Sequence, residues 1–263
     1  MMIIWVTAGF AASLALVLGL ALGLFRELFK VEENPLISCL REVLPGANCG
    51  GCGFPGCDGY AAAVAGGEDI SRCTAGGNAA AEALAAIMGI SAGAVVSMVS
   101  VRCCLGGNGT AVKRGIYTGL KTCRGAKIAG GTKLCAWSCI GFGDCVGVCK
   151  FGALSMGADG LPAVNWSRCT GCKVCVAECP QGILRVIPKN KKITLALCSN
   201  RNPVRSAIRK TCRVGCIKCG ICVKQCPEQC ITLDNGIPLV DYNKCTACGT
   251  CEQKCPTKVM RVL

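Results

Sequence analysis

The sequence predicts an α+β protein. One N-terminal transmembrane helix should carry small domains of short helices and hairpins built around thiol-rich centres. Three observations predict it. Residues 1–25 carry no charge. The 263 residues include 27 cysteines and no histidine. The cysteines of the C-terminal half recur in tandem: Cys139, Cys145 and Cys149 return 77 positions later as Cys216, Cys222 and Cys226.

The N-terminal run MMIIWVTAGFAASLALVLGLALGLF has only Thr7 and Ser13 as polar side chains. A hydrocarbon core needs about 20 apolar residues, so this run can cross it. A cleaved signal peptide fits less well, because there is no basic leader and the apolar stretch exceeds the usual 7–15 or so residues. All 29 Lys and Arg follow the span, with Arg26 and Lys30 nearest to it. By the positive-inside rule the protein is single-pass in the cell (inner) membrane, with its C-terminal domain cytoplasmic. That reducing compartment disfavours disulfides. Ala11, Ala15, Gly19 and Gly23 form a small-residue ridge that suits contact with another membrane protein of a complex, although an Ala/Gly-rich span also forms one by chance.

Composition narrows the chemistry. An odd number of cysteines cannot pair fully as disulfides. Without histidine, mixed Cys/His zinc sites, histidine-ligated haem and histidine acid–base catalysis are excluded. A thiolate-ligated metal protein remains, with iron–sulfur clusters as the leading class.

After the polar juncture Glu32-Glu33-Asn34-Pro35 come Cys49, Cys52 and Cys57 in a Gly/Pro loop, and Cys73 beyond the helix-like YAAAVAGG. Four thiolates suit a [4Fe–4S] cluster or structural zinc. The run CGGCGFPGC followed by YAAAVAGGEDISRCTAGG resembles the four-cysteine domain shared by Rnf B subunits and the corrinoid iron–sulfur protein large subunit. Thr74 stands where that family has proline.

Three runs of the bacterial ferredoxin type follow: Cys169/Cys172/Cys175/Cys179-Pro180, Cys216/Cys219/Cys222/Cys226-Pro227 and Cys245/Cys248/Cys251/Cys255-Pro256. A zinc ribbon would lack the trailing Cys-Pro. The repeat extends to the hairpin signals Asp159-Gly160 and Asn235-Gly236 and to the short strands ILRV (183–186) and VMRV (259–262). In two-cluster ferredoxins the fourth cysteine of one run ligates the other cluster. The last module then pairs Cys216, Cys219 and Cys222 with Cys255, and Cys245, Cys248 and Cys251 with Cys226. In the preceding module Cys169, Cys172 and Cys175 pair with Cys149. Its other set has Cys139, Cys145 and Cys179, but Phe142 occupies the position of Cys219. Cys135 is the expected replacement, and its repeat equivalent Cys212 is then spare.

The reading is five [4Fe–4S] clusters. Cys39, Cys103, Cys104, Cys123, Cys198, Cys212 and Cys230 stay outside these sets. Cys230 aligns with Ala153 and reads as a small buried residue, as does Cys39. For Cys103, Cys123, Cys198 and Cys212, core thiols are favoured over a sixth centre. The divisions are an anchor at 1–30, a four-cysteine domain at 31–90, a connecting segment at 91–134, and ferredoxin modules at 135–190 and 191–263. Within 79–134, AAAEALAAIMG reads as a helix ending at Gly89 and VVSMVSV as a strand. Lys127, Gly130, Gly131 and Lys133 complete no phosphate-loop or dinucleotide fingerprint, so no NAD, nucleotide or flavin site is expected.

The order of these parts resembles the B subunit of Rnf complexes over nearly the whole chain, notably in CIGFGDCVGVCKFGAL and CRVGCIKCGICVKQCP. Lys150 replaces the expected proline after Cys149. The resemblance implies a membrane complex that oxidises reduced ferredoxin, reduces NAD and moves Na⁺ or H⁺. This subunit would take electrons from soluble reduced ferredoxin and pass them to membrane-embedded subunits. The residues themselves point to an electron wire, since no acid–base constellation accompanies the thiols. The alternatives are a polyferredoxin subunit of another membrane redox complex, such as a hydrogenase, and a zinc-binding scaffold. The formal charge of +14 falls to about +4 once five clusters of roughly −2 are bound. The basic groups are not interleaved with aromatics, so no nucleic-acid partner is expected. The residual charge is expected to form a patch that steers an acidic ferredoxin.

Overall fold

The computed structural model describes residues 2–29 and 34–263. Lys30, Glu32 and Glu33, used above for orientation and the polar juncture, lie outside the described residues. Helix α1 (Met2–Leu28) carries no charge before Arg26 and Glu27 in its last turn, has a mean hydropathy of 2.2 over its best window, and none of it is buried against protein. Its two hydroxyls are satisfied internally: Thr7 donates to Ile3 and Ile4 carbonyls, and Ser13 to that of Phe10. A helix that meets all its polar needs within itself suits a bilayer.

The four-cysteine domain is helical. Helix α2 (Pro35–Glu42) starts at Asn34, whose side chain accepts from Leu36 N, with proline in its first turn. Helix α3 (Cys57–Ala65) and a 3₁₀ turn (Ile70–Arg72) follow, then α4 (Gly77–Met88), which ends at left-handed Gly89 as expected. Leu40, Leu44, Tyr60, Val64 and Leu84 form the core. The Tyr60 hydroxyl donates to the Asp69 carbonyl at 2.8 Å, tying α3 to the turn that delivers Cys73.

The remainder is built twice. The first copy consists of β1 (Met98–Arg102), α5 (Cys123–Ile128), α6 (Asp144–Gly147), β2 (Leu154–Met156), β3 (Pro162–Val164), α7 (Val174–Glu178) and β4 (Leu184–Pro188). The second consists of β5 (Thr194–Ala196), α8 (Arg205–Thr211), α9 (Ile221–Lys224), β6 (Ile231–Asp234), β7 (Ile237–Val240), α10 (Thr250–Gln253) and β8 (Met260–Val262). In each copy the leading strand pairs antiparallel with the last, β1 with β4 and β5 with β8, and the middle strands form a hairpin. The hairpin signals hold their places: Asn235 and Gly236 both take positive φ, as a tight type I′ turn requires. Residues 91–134, expected to connect, supply β1 and α5 to the first copy.

Two-stranded sheets are marginal alone. The strands lean on the cysteine loops. Ser100 N, in β1, donates to Cys169 Sγ at 3.3 Å, and Ser100 also meets Cys175 Sγ at 3.6 Å. Gly171 makes this approach possible: its φ is +67°, and a Cβ there would lie 2.5 Å from the Met98 carbonyl oxygen. Gly171→Ala is expected to destabilise the first copy by about 2–3 kcal/mol, from overpacking and left-handed strain together. It should appear as faster loss of visible absorbance in urea, with the second copy bleaching at its usual rate.

Candidate metal centres

Five loops lead into the thiol groups, and each puts positive φ on residues two apart: Asn48 and Gly50, Gly141 and Gly143, Gly171 and Lys173, Lys218 and Gly220, Ala247 and Gly249. Alternation of this kind turns successive N–H groups toward one concavity, a nest suited to an anion. Lys173, Lys218 and Ala247 adopt it without glycine's freedom, so the loops hold strain that something inside them must offset.

The structure brings the cysteines of two expected sets each into one cavity, and those of the last module into one common cluster. Cys49, Cys52, Cys57 and Cys73 line one cavity, with about 330 Å³ between its atoms. Cys57 N donates to Asn48 Oδ1 at 2.8 Å, and Gly76 N donates to Cys73 Sγ at 3.4 Å. Cys149, Cys169, Cys172 and Cys175 line a second cavity of about 350 Å³. In the second copy Cys216, Cys222, Cys245, Cys251 and Cys255 share one buried cluster, with Cys226 packed against it. Burial pushes the Cys222 thiol up to about 11, and Cys219, Cys255 and Cys251 add to the shift. Cys251 is raised chiefly by burial, with Cys226 and Cys248 contributing. These neighbours are the ones expected for two interleaved sets.

The set around Cys139 closes differently. Its cavity, about 350 Å³, is lined by Cys139, Cys145, Cys179 and Cys123. Cys123 opens α5, where Asp144 Oδ2 accepts from the Cys123 N at 2.7 Å and from the Arg124 N at 3.3 Å. Arg124 reaches back to Glu178 through two hydrogen bonds of 3.0 and 2.8 Å. Phe142 packs with Cys123, Ala126 and Ile140, its ring 5.6 Å from that of Tyr117. The side chain that replaces a thiol thus seats the helix that brings another one.

Burial pushes the Cys139 and Cys145 thiols up to about 12. Buried thiols ionise only when a cation takes their charge, so filling these cavities means metal binding with proton release. The sulfurs also stand back around holes. Zinc at about 2.3 Å would draw four of them to roughly 3.8 Å of one another. Among the described residues no three Cys, Asp or Glu side chains converge on a single ion in that way. The donor set and the nests fit [4Fe–4S] clusters.

Three family models match: a putative Fe-S cluster domain at residues 44–75, a 4Fe-4S binding domain at 162–185 and a 4Fe-4S dicluster domain at 215–259. The B subunit of the Na⁺-translocating ferredoxin:NAD⁺ oxidoreductase complex of Acetobacterium woodii is 42% identical over 92% of this chain and 73% of its own. The B subunit of an ion-translocating oxidoreductase complex from Methanosarcina acetivorans is 37% identical over 89% of each chain. That of the proton-translocating ferredoxin:NAD⁺ oxidoreductase complex of Clostridium ljungdahlii is 41% identical over 88% of this chain and 82% of its own. The chain belongs to the Rnf complex B-subunit family. It is an iron–sulfur electron-transfer component of a multi-subunit oxidoreductase complex, and it carries a candidate membrane anchor.

Against the ligand sets expected above, one thiol is displaced. Cys135 does not line the cavity of Cys139. It lines a separate one with Cys104, Cys198 and Cys212, the thiol expected to be spare. The residues from Cys135 to Cys139 are taken up by a turn closed by Ser138 N and Oγ on the Cys135 carbonyl, which leaves the two thiols facing different holes. Cys123 was not legible as a partner because it arrives from a separate helix. The vacancy at Phe142 was the signal that some outside thiol had to come in.

The departure from the Rnf pattern at Lys150 has a use. Lys150 Nζ donates to the Asn48 carbonyl at 2.8 Å, holding the Cys49 loop against the first ferredoxin copy. A Cβ on Gly51 would lie 2.6 Å from the Cys172 carbonyl, so the two loops touch backbone to backbone. Asp144→Ala is expected to release the Cys123 and Arg124 amides at a cost of about 1–2 kcal/mol. Hydrogen exchange over 122–128 should quicken roughly tenfold, while residues 216–256 keep their protection.

Proposed function

We propose that this protein is a one-electron relay, from soluble reduced ferredoxin at its second ferredoxin copy to membrane-embedded subunits next to its four-cysteine domain. The relay serves NAD reduction coupled to Na⁺ or H⁺ movement, the activities for which the complexes of its relatives are named. The soluble part lies on the cytoplasmic side. Five [4Fe–4S] clusters occupy the Cys49, Cys169, Cys139, Cys216 and Cys245 sets, with Cys123 as the fourth ligand beside Cys139, Cys145 and Cys179. Each bound cluster takes up and releases one electron at a time.

The observation that carries the reading is the close succession of thiol sets. Gly51 abuts Cys172, joining the Cys49 and Cys169 sets. Cys175 lies close enough to Cys145 to add to its upward shift, which is chiefly burial. Cys251 acts on Cys222 in the same way. The far end is open to a soluble donor, because Cys248 is exposed.

Charge favours an acidic donor on the second copy. Arg201, Arg205, Arg209, Lys210 and Arg213 are exposed around α8, and no acidic residue intervenes. Such a face raises the on-rate for an acidic ferredoxin and loses force as salt screens it.

Two outcomes test this reading. Electron uptake from reduced ferredoxin by the purified complex should slow as ionic strength rises toward about 0.2 M, and the complex lacking this protein should not pass electrons from ferredoxin to NAD. A rate indifferent to salt would remove the docking face. Separately, Cys123→Ala should lower bound iron by about four atoms per chain, whereas Cys39→Ala, on an exposed helical position, should leave it unchanged.

A further inference from the structure

We propose that Cys104, Cys135, Cys198 and Cys212 hold a sixth [4Fe–4S] cluster, shared by the two ferredoxin copies, which bridges their otherwise separate wires. This rests on the cluster reading of the other five sets.

The four thiols line one cavity. The sulfurs of Cys104 and Cys212 each lie 3.5 Å from the point that a Gly106 Cβ would occupy. They are therefore no more than twice that distance apart, beside the Ala111 methyl, which lies 3.2 Å from the same point. Cys104 Sγ accepts from the Gly106 amide, two residues on, at 3.4 Å. Amide-to-sulfur bonds of the same kind reach Cys73, Cys149 and Cys169 in the expected ligand sets. Asn200 Nδ2 adds a bond to Cys135 Sγ at 3.4 Å. By contrast Cys103, next in the chain to Cys104, sits in the apolar cluster of Val99, Val101, Ile187, Ile193 and Leu195.

The site is symmetric with respect to the duplication. Cys103 N donates to the Ile183 carbonyl, and Leu197 N to that of Val259, 76 positions later. This makes Cys104 and Cys198 equivalent, each following a leading strand. Cys135 and Cys212 are the other equivalent pair. Each copy contributes two thiols and neither copy can close the site alone. The copies also meet here through backbone: Val112 N donates to the Thr211 carbonyl, and Arg213 N to that of Thr110, both at 3.0 Å.

A buried cation marks the negative charge that the site is built to hold. Lys133 is 6% exposed. Its Nζ donates to the carbonyls of Gly106 at 2.9 Å and Cys139 at 2.8 Å. A buried ammonium needs a counter-charge, and none of the ion pairs among the described residues includes Lys133. It lies between the Cys139 cavity and this one. On the other side Cys216 N donates to Cys198 Sγ at 3.3 Å, so the Cys216 set begins where this one ends. The succession becomes continuous: Cys49, Cys169, Cys139, Cys104, Cys216 and Cys245 sets.

The test is metal analysis of the full chain purified anaerobically, together with rapid-freeze EPR. About 24 iron atoms and as many sulfides per chain are expected, against about 20 without this centre. Cys135→Ala/Cys212→Ala should lose about four of each and one EPR component, while Cys103→Ala should lose none. After mixing with reduced ferredoxin, clusters of the first copy should be reduced at least tenfold more slowly in the double variant, and those of the second copy at the wild-type rate. About 20 iron atoms in the wild type overturns the proposal whether or not the double variant folds, and so does one zinc per chain that the variant loses. Equal reduction rates in both proteins overturn the bridging role. A chain without iron would instead remove the relay reading on which this rests.

Discussion

Burying sulfur as an anion is costly, and most of this molecule is arranged around that cost. A thiolate taken out of water needs a cation, amide donors or both. This chain gathers its thiols in cavities where burial, with neighbouring thiols adding to it, lifts Cys139 and Cys145 to about 12. The loops answer with converging amides, the first copy with the ammonium of Lys133, and iron is the largest compensation of all. Apart from the four-cysteine domain, the aliphatic core is confined mainly to the cluster of Val99, Val101, Ile187, Ile193 and Leu195. The sheets are pairs of short strands, and the buried clusters around them are largely cysteine. Folding and metal loading are thus close to one process here.

That constraint also explains the charge of the chain. A formal +14 on 263 residues would repel itself if it were all on the surface of an empty protein. With the six proposed centres of roughly −2 inside, the total would fall to about +2. Part of the basic excess therefore acts internally, as Lys133 does, and part is an outward face around α8. Hydrogen bonds to cluster sulfurs are also among the factors that set reduction potential. Amides such as those of Gly76, Gly106 and Ala153, which donate to Cys73, Cys104 and Cys149, are a means for the backbone to tune the wire.

The ferredoxin runs were legible because their ligands lie within a few residues of one another, so spacing alone dictates the loop. Hairpin turns, the strands after Cys179 and Cys255, and the Gly89 helix end followed from local chemistry for the same reason. What spacing could not show was ligation assembled across distance. Cys123 depends on Asp144 and Phe142 seating a helix from another part of the chain. Cys104 depends on a strand register, β1 on β4, that no local pattern records. Cys135 and Cys212 were recognisable as equivalents, yet equivalence was broken to fill the vacancy at Phe142. The repeat keeps its symmetry there, since both thiols line the cavity between the copies, and the thiol beside Cys139 comes from outside the repeat.

The cavity shared by the two copies has a consequence for how the molecule closes. Two thiols from each half make it the counterpart of an isologous contact between identical subunits, in which both partners offer the same patch. Separate copies would have to find one another by diffusion. Joined by the short stretch between β4 and β5, they meet at an effective concentration near the millimolar range. Covalent duplication turns a concentration-dependent dimer into a ring closure within one chain, stable at any dilution.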